Sequence, residues 1–153
     1  MDAGALVVGL RGLAPVGCAV ALLVGSGCNT QYVHECNAVK RTVDPLVTQI
    51  NAKQRPRELA RLRSFLDERA KDYESLASSL EGVPVETREL ASSLESYADA
   101  ARRYAGEARQ YVVALDEYSP EHVEAARRRA ATEHETMVAT SRSIAGWCKP
   151  FGP

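Results

Sequence analysis

The chain has 153 residues, of which 45% are hydrophobic and 25% charged, and its formal net charge is −1. This composition is typical of a folded protein and excludes a disordered tail or a fibre. The near-neutral charge also argues against nucleic-acid binding, which usually requires a clear basic excess. The length allows one domain.

The first 27 residues differ in character from the rest of the chain. They contain only two charged residues, Asp2 and Arg11, and an apolar run after Arg11 leads to small residues and then to Cys28. A basic residue, a short apolar run and a small-residue exit predict a secretory signal peptide over residues 1–27. The run is shorter than the roughly 20 apolar residues of a membrane-spanning helix.

The end of this leader, Leu23-Val24-Gly25-Ser26-Gly27-Cys28, resembles the lipobox of bacterial lipoprotein precursors, and the resemblance covers the leader alone. It implies that Cys28 receives a diacylglycerol and becomes the mature N-terminus, so that the protein meets a membrane through its N-terminal lipid. Each buried acyl methylene contributes about 0.8 kcal/mol of membrane affinity. Plain secretion, and an uncleaved anchor or a cytosolic chain, are the alternatives.

Two cysteines remain downstream, Cys36 near the start of the mature chain and Cys148 near its end. An even pair in an oxidising compartment most simply forms a disulfide bond, here Cys36–Cys148. On the chain-entropy model, a bridge across so long a loop contributes about 4–5 kcal/mol to stability. Two separate buried thiols, or a metal site that adds His34, are the alternatives.

Apolar residues at helical spacing predict four amphipathic helices, over about residues 34–53, 56–81, 86–117 and 119–148. Pro45 lies within the first stripe and predicts either a kink or the start of another helix. Gly82 and Pro84 end the second helix, and Ser119 before Pro120 caps the fourth.

Such helices with short connections predict an all-α fold, an antiparallel up-and-down four-helix bundle. A three-helix arrangement with a broken first arm is the alternative. In the four-helix topology Cys36 and Cys148 lie at the same end, which agrees with the predicted bridge. The expected division is a signal peptide over 1–27, a short tether over 28–35, the bundle over 36–148 and a tail over 149–153. The tether would hold the bridged end within about 25 Å of the membrane.

Four tyrosines recur every seven residues along the third helix: Tyr97, Tyr104, Tyr111 and Tyr118. One interpretation is a seam of the bundle, in which the rings alternate with alanines and the hydroxyl groups reach the polar rim. The other is a candidate binding face, an aromatic strip that lines a groove for a peptide, a glycan strand or an apolar ligand.

Arginines form two clusters, at 102–103 and at 127–129. We expect solvated helix faces, with pairs such as Glu124 and Arg128 four residues apart. Contact with anionic headgroups or cell-wall polymer is the functional alternative.

No motif for catalysis, metal binding or a cofactor is present. His134 lies between two glutamates, but no second histidine follows at the zincin spacing, and no Glu-x-x-His pair or Cys-x-x-Cys occurs. We therefore expect no enzyme, no metal and no cofactor. An enzyme would require a cleft around His122 or His134 in which ionisable groups have perturbed pKa values.

The predicted function is a noncatalytic envelope interaction or structural module, lipid-anchored and facing the periplasm or the cell exterior. Asn29, where an Asp would favour the inner membrane, favours the outer membrane. An envelope protein or a second copy of the chain is the expected partner, and nucleic acid is not. The alternative is a periplasmic helical domain of the sensor or chaperone type that binds a small ligand or a peptide.

Overall fold

The computed structural model describes residues 27–117 and 119–149, and within these ranges the protein is all-α with no strand. Its four helices are α1 (Gly27–Ala52), α2 (Leu59–Glu81), α3 (Arg88–Asp116) and α4 (Pro120–Trp147). Short connections reverse the chain between them, so that α1 packs on α2, α2 on α3, and α3 on α4. The predicted antiparallel four-helix bundle is confirmed.

The first helix passes through Pro45 without a break, so no second helix begins there. Pro45 lacks the N–H group that would bond to the carbonyl of Arg41. Both residues are exposed, so water can bond to that carbonyl in its place. The predicted stripe faces the core, where Val39 and Ile50 are buried.

Residues 28–35, the predicted short tether, are helical, because α1 begins at Gly27 and includes them. Side-chain contacts hold this part of the helix. The amide nitrogen of Gln31 donates to Glu35 at 3.1 Å and to Glu86 at 3.0 Å.

A helical start to α1 shortens the distance between the two cysteines in it. At about 1.5 Å per residue, Cys28 lies about 12 Å from Cys36 along the helix axis, about half the span of an extended chain. Cys28 is therefore joined to the bundle by helix rather than by a flexible segment.

The connection between α2 and α3 begins at Gly82, and the N–H of the next residue, Val83, donates to the carbonyl of Leu80 at 3.2 Å. The φ of Gly82 is −81°, a right-handed value open to any residue, so glycine's conformational freedom is not what ends the helix. Pro84 follows two residues later, and a proline disfavours helical conformation in the residue before it. Helices α2 and α3 begin two or three residues later than predicted, at Leu59 and Arg88.

The start of α4 matches its prediction. Ser119 adopts extended backbone, its hydroxyl accepts a hydrogen bond from the N–H of His122 at 3.4 Å, and Pro120 is the first helical residue. The side-chain oxygen thus satisfies one of the N–H groups that a helix leaves unpaired at its start.

Two apolar clusters form the core. The larger contains the fully buried Leu76, Leu80 and Leu90, near the connection of α2 and α3. Its α3 members are largely alanines, which let neighbouring helices approach closely: Ala98, Ala100, Ala101, Ala105 and Ala108. The smaller cluster lies near the connection of α3 and α4: Leu62, Leu66, Tyr111, Ala114, Leu115 and Ala126. The heptad face of α3 is therefore buried within one chain.

The bundle has a bridged end and a distal end. The bridged end comprises residues 27–36 of α1, the α2–α3 connection 82–87 and residues 147–149. The distal end comprises the connection 53–58 and residues 117 and 119.

Candidate functional site

The disulfide joins the bridged end. Cys36 lies in α1 and Cys148 directly follows α4, their Cα atoms are 5.4 Å apart, and their sulfur atoms are bonded. This pairing excludes the two alternatives, separate thiols and a metal site completed by His34. His34 itself is exposed.

Cys28 lies in the first turn of α1, at the same end of the bundle. The predicted signal peptide, apart from Gly27, lies outside the described residues, and so does nearly all of the tail over 149–153.

Two tyrosines of the candidate binding face are buried in the bundle. Tyr97 and Tyr111 are each only 6% exposed. Burial raises the pKa of Tyr97 to about 12. The Tyr111 hydroxyl accepts a hydrogen bond from Arg55 at 3.4 Å. Tyr118 lies outside the described residues.

The remaining described tyrosine of the candidate binding face, Tyr104, connects three helices through ring contacts. Its ring meets Tyr73 of α2 edge-on, with centroids 4.6 Å apart, and lies 5.7 Å from the ring of His134 in α4. Burial raises the pKa of Tyr104, while the positive charge of Arg69 acts in the opposite direction. The described tyrosines of this face thus fill the space between helices, which agrees with the seam interpretation.

Arg69 interrupts the apolar stripe of α2, and the structure gives it two partners of different kinds. Its guanidinium lies over the rings of Phe65 and Tyr73, at 5.1 and 5.9 Å from their centroids. One nitrogen also donates, at a long 3.5 Å, to the carbonyl of Ile50 in the last turn of α1. A cation is favourable there, because the final carbonyls of a helix carry partial negative charge.

The two histidines considered for catalysis lie apart. His122 is exposed at the start of α4, where its Nδ1 is 2.7 Å from a carboxylate oxygen of Glu117. His134 lies about 18 Å further along the same helix. Burial lowers the pKa of His134, and the nearby charge of Arg69 lowers it further.

The sequence reasoning missed a buried carboxylate, Glu35, which is only 3% exposed. One of its oxygens accepts from the backbone N–H groups of Glu86 at 2.8 Å and Thr87 at 3.2 Å, directly before α3. The start of a helix favours a negative charge. The spacing indicates this burial, because Glu35 precedes the apolar Val39 by four positions and so lies on the same helix face.

Two opposing effects set the pKa of Glu35. Burial disfavours the charged form, but hydrogen bonds from the Thr87 hydroxyl, the Glu86 and Thr87 N–H groups and Gln31 outweigh it, so the pKa lies below its ordinary value. The second oxygen is buried with no hydrogen-bond partner among the described residues.

The arginine clusters form ion pairs, mostly between helices. The pairs across helices are Arg102–Glu81 at 2.5 Å, Arg103–Glu133 at 3.0 Å and Arg129–Glu107 at 2.8 Å. Glu124 pairs with Arg127 three residues on, not with Arg128 as predicted, because Arg127 reaches both carboxylate oxygens. Water and salt screen such exposed pairs, so each one stabilises the fold only weakly.

A shallow depression of about 200 Å³ lies between α3 and α4 near the distal end, lined in part by Val113, Glu117, His122 and Arg129. The described part of the chain contains no group of three or more histidine, cysteine or acidic side chains placed to hold a metal ion. None of the described helices has the length and apolarity of a membrane span.

Comparison with protein-family models, curated proteins and solved structures gave no match to this chain.

Proposed function

We propose that the protein is exported, anchored by lipid at Cys28, and acts as a noncatalytic interaction or structural module of the cell envelope. The observation that carries the proposal is the Cys36–Cys148 bond. Disulfides persist in oxidising compartments such as the periplasm and are rare in the cytosol. A bridge between the two ends of the folded chain supports export.

The position of Cys28 supports the anchor. Cys28 lies in the first turn of the helix that carries Cys36, and its backbone lies at the bridged end. A lipid there would hold the bundle by a covalently closed end, so that tension on the anchor is shared by α1 and α4.

The interior favours an interaction module over the rival ligand-binding domain. A ligand groove on the third helix would require an open tyrosine face, but Tyr97 and Tyr111 are buried and Tyr104 packs against Tyr73 and His134. The proposed partner, an envelope protein or a second copy of the chain, would therefore meet the charged outer surface.

Metabolic labelling with palmitate tests the anchor in a bacterium that expresses the chain with its leader. Wild type should incorporate label, lose its leader and stay with membranes. Cys28→Ser should take up no label. Cys18→Ser is the matched control, because it changes another cysteine of the same region and should be labelled like wild type. Equal labelling of wild type and Cys28→Ser would refute the anchor.

A further inference from the structure

The bridged end exposes apolar and aromatic side chains. Val33 is 52% and Trp147 38% exposed. The ring of Tyr32 lies 6.5 Å from that of Trp147, so a pair of aromatic rings spans from α1 to the end of α4. Tyrosine and tryptophan, with apolar bodies and polar tips, are enriched where a membrane meets water.

The charge around this pair is also unusual for the chain. Residues 27–34 and 136–149 contain no aspartate or glutamate, and they carry Arg142 and Lys149. The same end also holds carboxylates outside these two segments. Glu35 is buried, Glu81 pairs with Arg102, and Glu86 accepts from the neutral amide of Gln31 and keeps its charge. The two segments that carry Tyr32 and Trp147 have basic but no acidic side chains, and this favours contact with anionic headgroups.

The preceding chain enters the structure at the same place. Residues 1–26 join α1 at Gly27, and Cys28 lies about 6 Å along the helix axis from Tyr32. The disulfide, one residue after Trp147, keeps the end of α4 beside α1. A membrane that holds Cys28 is therefore also close to the rings of Tyr32 and Trp147.

We propose that the Tyr32–Trp147 edge docks on the bilayer surface, with the Trp147 ring in the headgroup region. The bundle then stands on its bridged end and presents its distal end away from the membrane. This docking rests on the lipid anchor of the proposed function, and adds to it a defined contact surface and orientation.

Trp147 is the one tryptophan in the chain, so its fluorescence reports on this edge alone. The lipid-modified protein, purified from membranes, is reconstituted into phosphatidylcholine–phosphatidylglycerol vesicles with either ordinary or brominated acyl chains. We expect brominated lipid to quench Trp147, with loss of emission, and ordinary vesicles to shift the emission to the blue relative to the protein in buffer.

A matched variant moves the reporter to the distal end. Trp147→Phe combined with Val113→Trp places the ring at an exposed site of α3, since Val113 is 48% exposed. Brominated lipid should leave its emission unchanged. Leu59→Trp in the same background, at a site 56% exposed, provides a second distal reporter should the first variant fail to fold.

Three outcomes would contradict the docking, and the experiment distinguishes them. No quenching of Trp147 in protein whose Cys28 carries lipid by mass would overturn the docking and leave the anchor intact. Equal quenching at both ends would mean that the bundle lies flat, which also overturns it. A folded protein with unmodified Cys28 would overturn the proposed anchor and, with it, the docking.

Discussion

Glu35 places a negative charge inside the bundle, and its charge joins α1 to the start of α3. Glu35→Gln keeps the shape but replaces a carboxylate oxygen by a neutral acceptor. We expect it to lower the free energy of unfolding by about 1.5–3 kcal/mol, the usual value of hydrogen bonds to a charged group. Chemical denaturation measures this. Glu95→Gln, on an exposed part of α3, is the control and should change stability by less than about 0.5 kcal/mol.

The same carboxylate predicts a pH dependence. Its pKa in the folded state lies below the ordinary value of 4.5, so its contribution is present above that value and is lost as pH falls through the lowered pKa. The stability difference between wild type and Glu35→Gln should therefore shrink on acidification below about pH 4.5. Denaturation at a series of pH values tests this, and a difference that grows towards low pH would contradict it.

Tyr97 predicts a dependence of stability on pH in the alkaline range. Burial raises its pKa to about 12 from an ordinary 10.0, so its contribution is complete below pH 10 and is lost as pH rises towards 12. Tyr97→Phe has no phenol to ionise and should lose less stability than wild type between these values. Circular dichroism with phenolate absorbance follows both events, and identical alkaline transitions in the two proteins would rule out this role.

At the scale of elements, the start of α4 depends on one side-chain hydrogen bond. Ser119→Ala removes the acceptor for the His122 N–H and should cost about 1 kcal/mol of stability. Ser143→Ala provides the matched control, because Ser143 is exposed inside the same helix, where alanine is the better helix former. If the two variants were equally stable, Ser119 would not be acting as a cap.

The attachment of α1 depends strongly on the disulfide. Among the other helices, only α2 runs close to the backbone of α1, whereas α3 has a helix on each side. The double variant Cys36→Ser, Cys148→Ser should lower the free energy of unfolding by up to about 4–5 kcal/mol. Hydrogen exchange should quicken most in α1. Reduction of the wild type serves as the control and should reproduce both effects, whereas unchanged exchange in α1 would contradict them.

For the whole molecule, the features that follow from local periodicity were predictable. Apolar stripes gave the number and order of the helices, and the topology then placed Cys36 beside Cys148. The start of α1 was not predictable in this way, because Gln31 and Tyr32 are held by partners distant in sequence, Glu86 and Trp147.

In the candidate site, too, local spacing predicts some features, while others depend on residues distant in sequence. The heptad spacing placed Tyr97, Tyr104 and Tyr111 on one face, but spacing alone does not distinguish a filled seam from an open groove. The answer depends on which side chains of α2 and α4 face them, such as Tyr73 and His134. A buried glutamate is also improbable from its residue type alone, since its partners are backbone N–H groups in another part of the chain.

The intact mass of the protein, purified from membranes of cells that express the whole chain, tests the lipid anchor and the disulfide most directly. A chain that begins at Cys28, carries diacylglycerol on that residue, and lacks the two hydrogens of the Cys36 and Cys148 thiols is the predicted result. A chain that keeps its leader, with Cys28 unmodified and the two downstream thiols free, would contradict it.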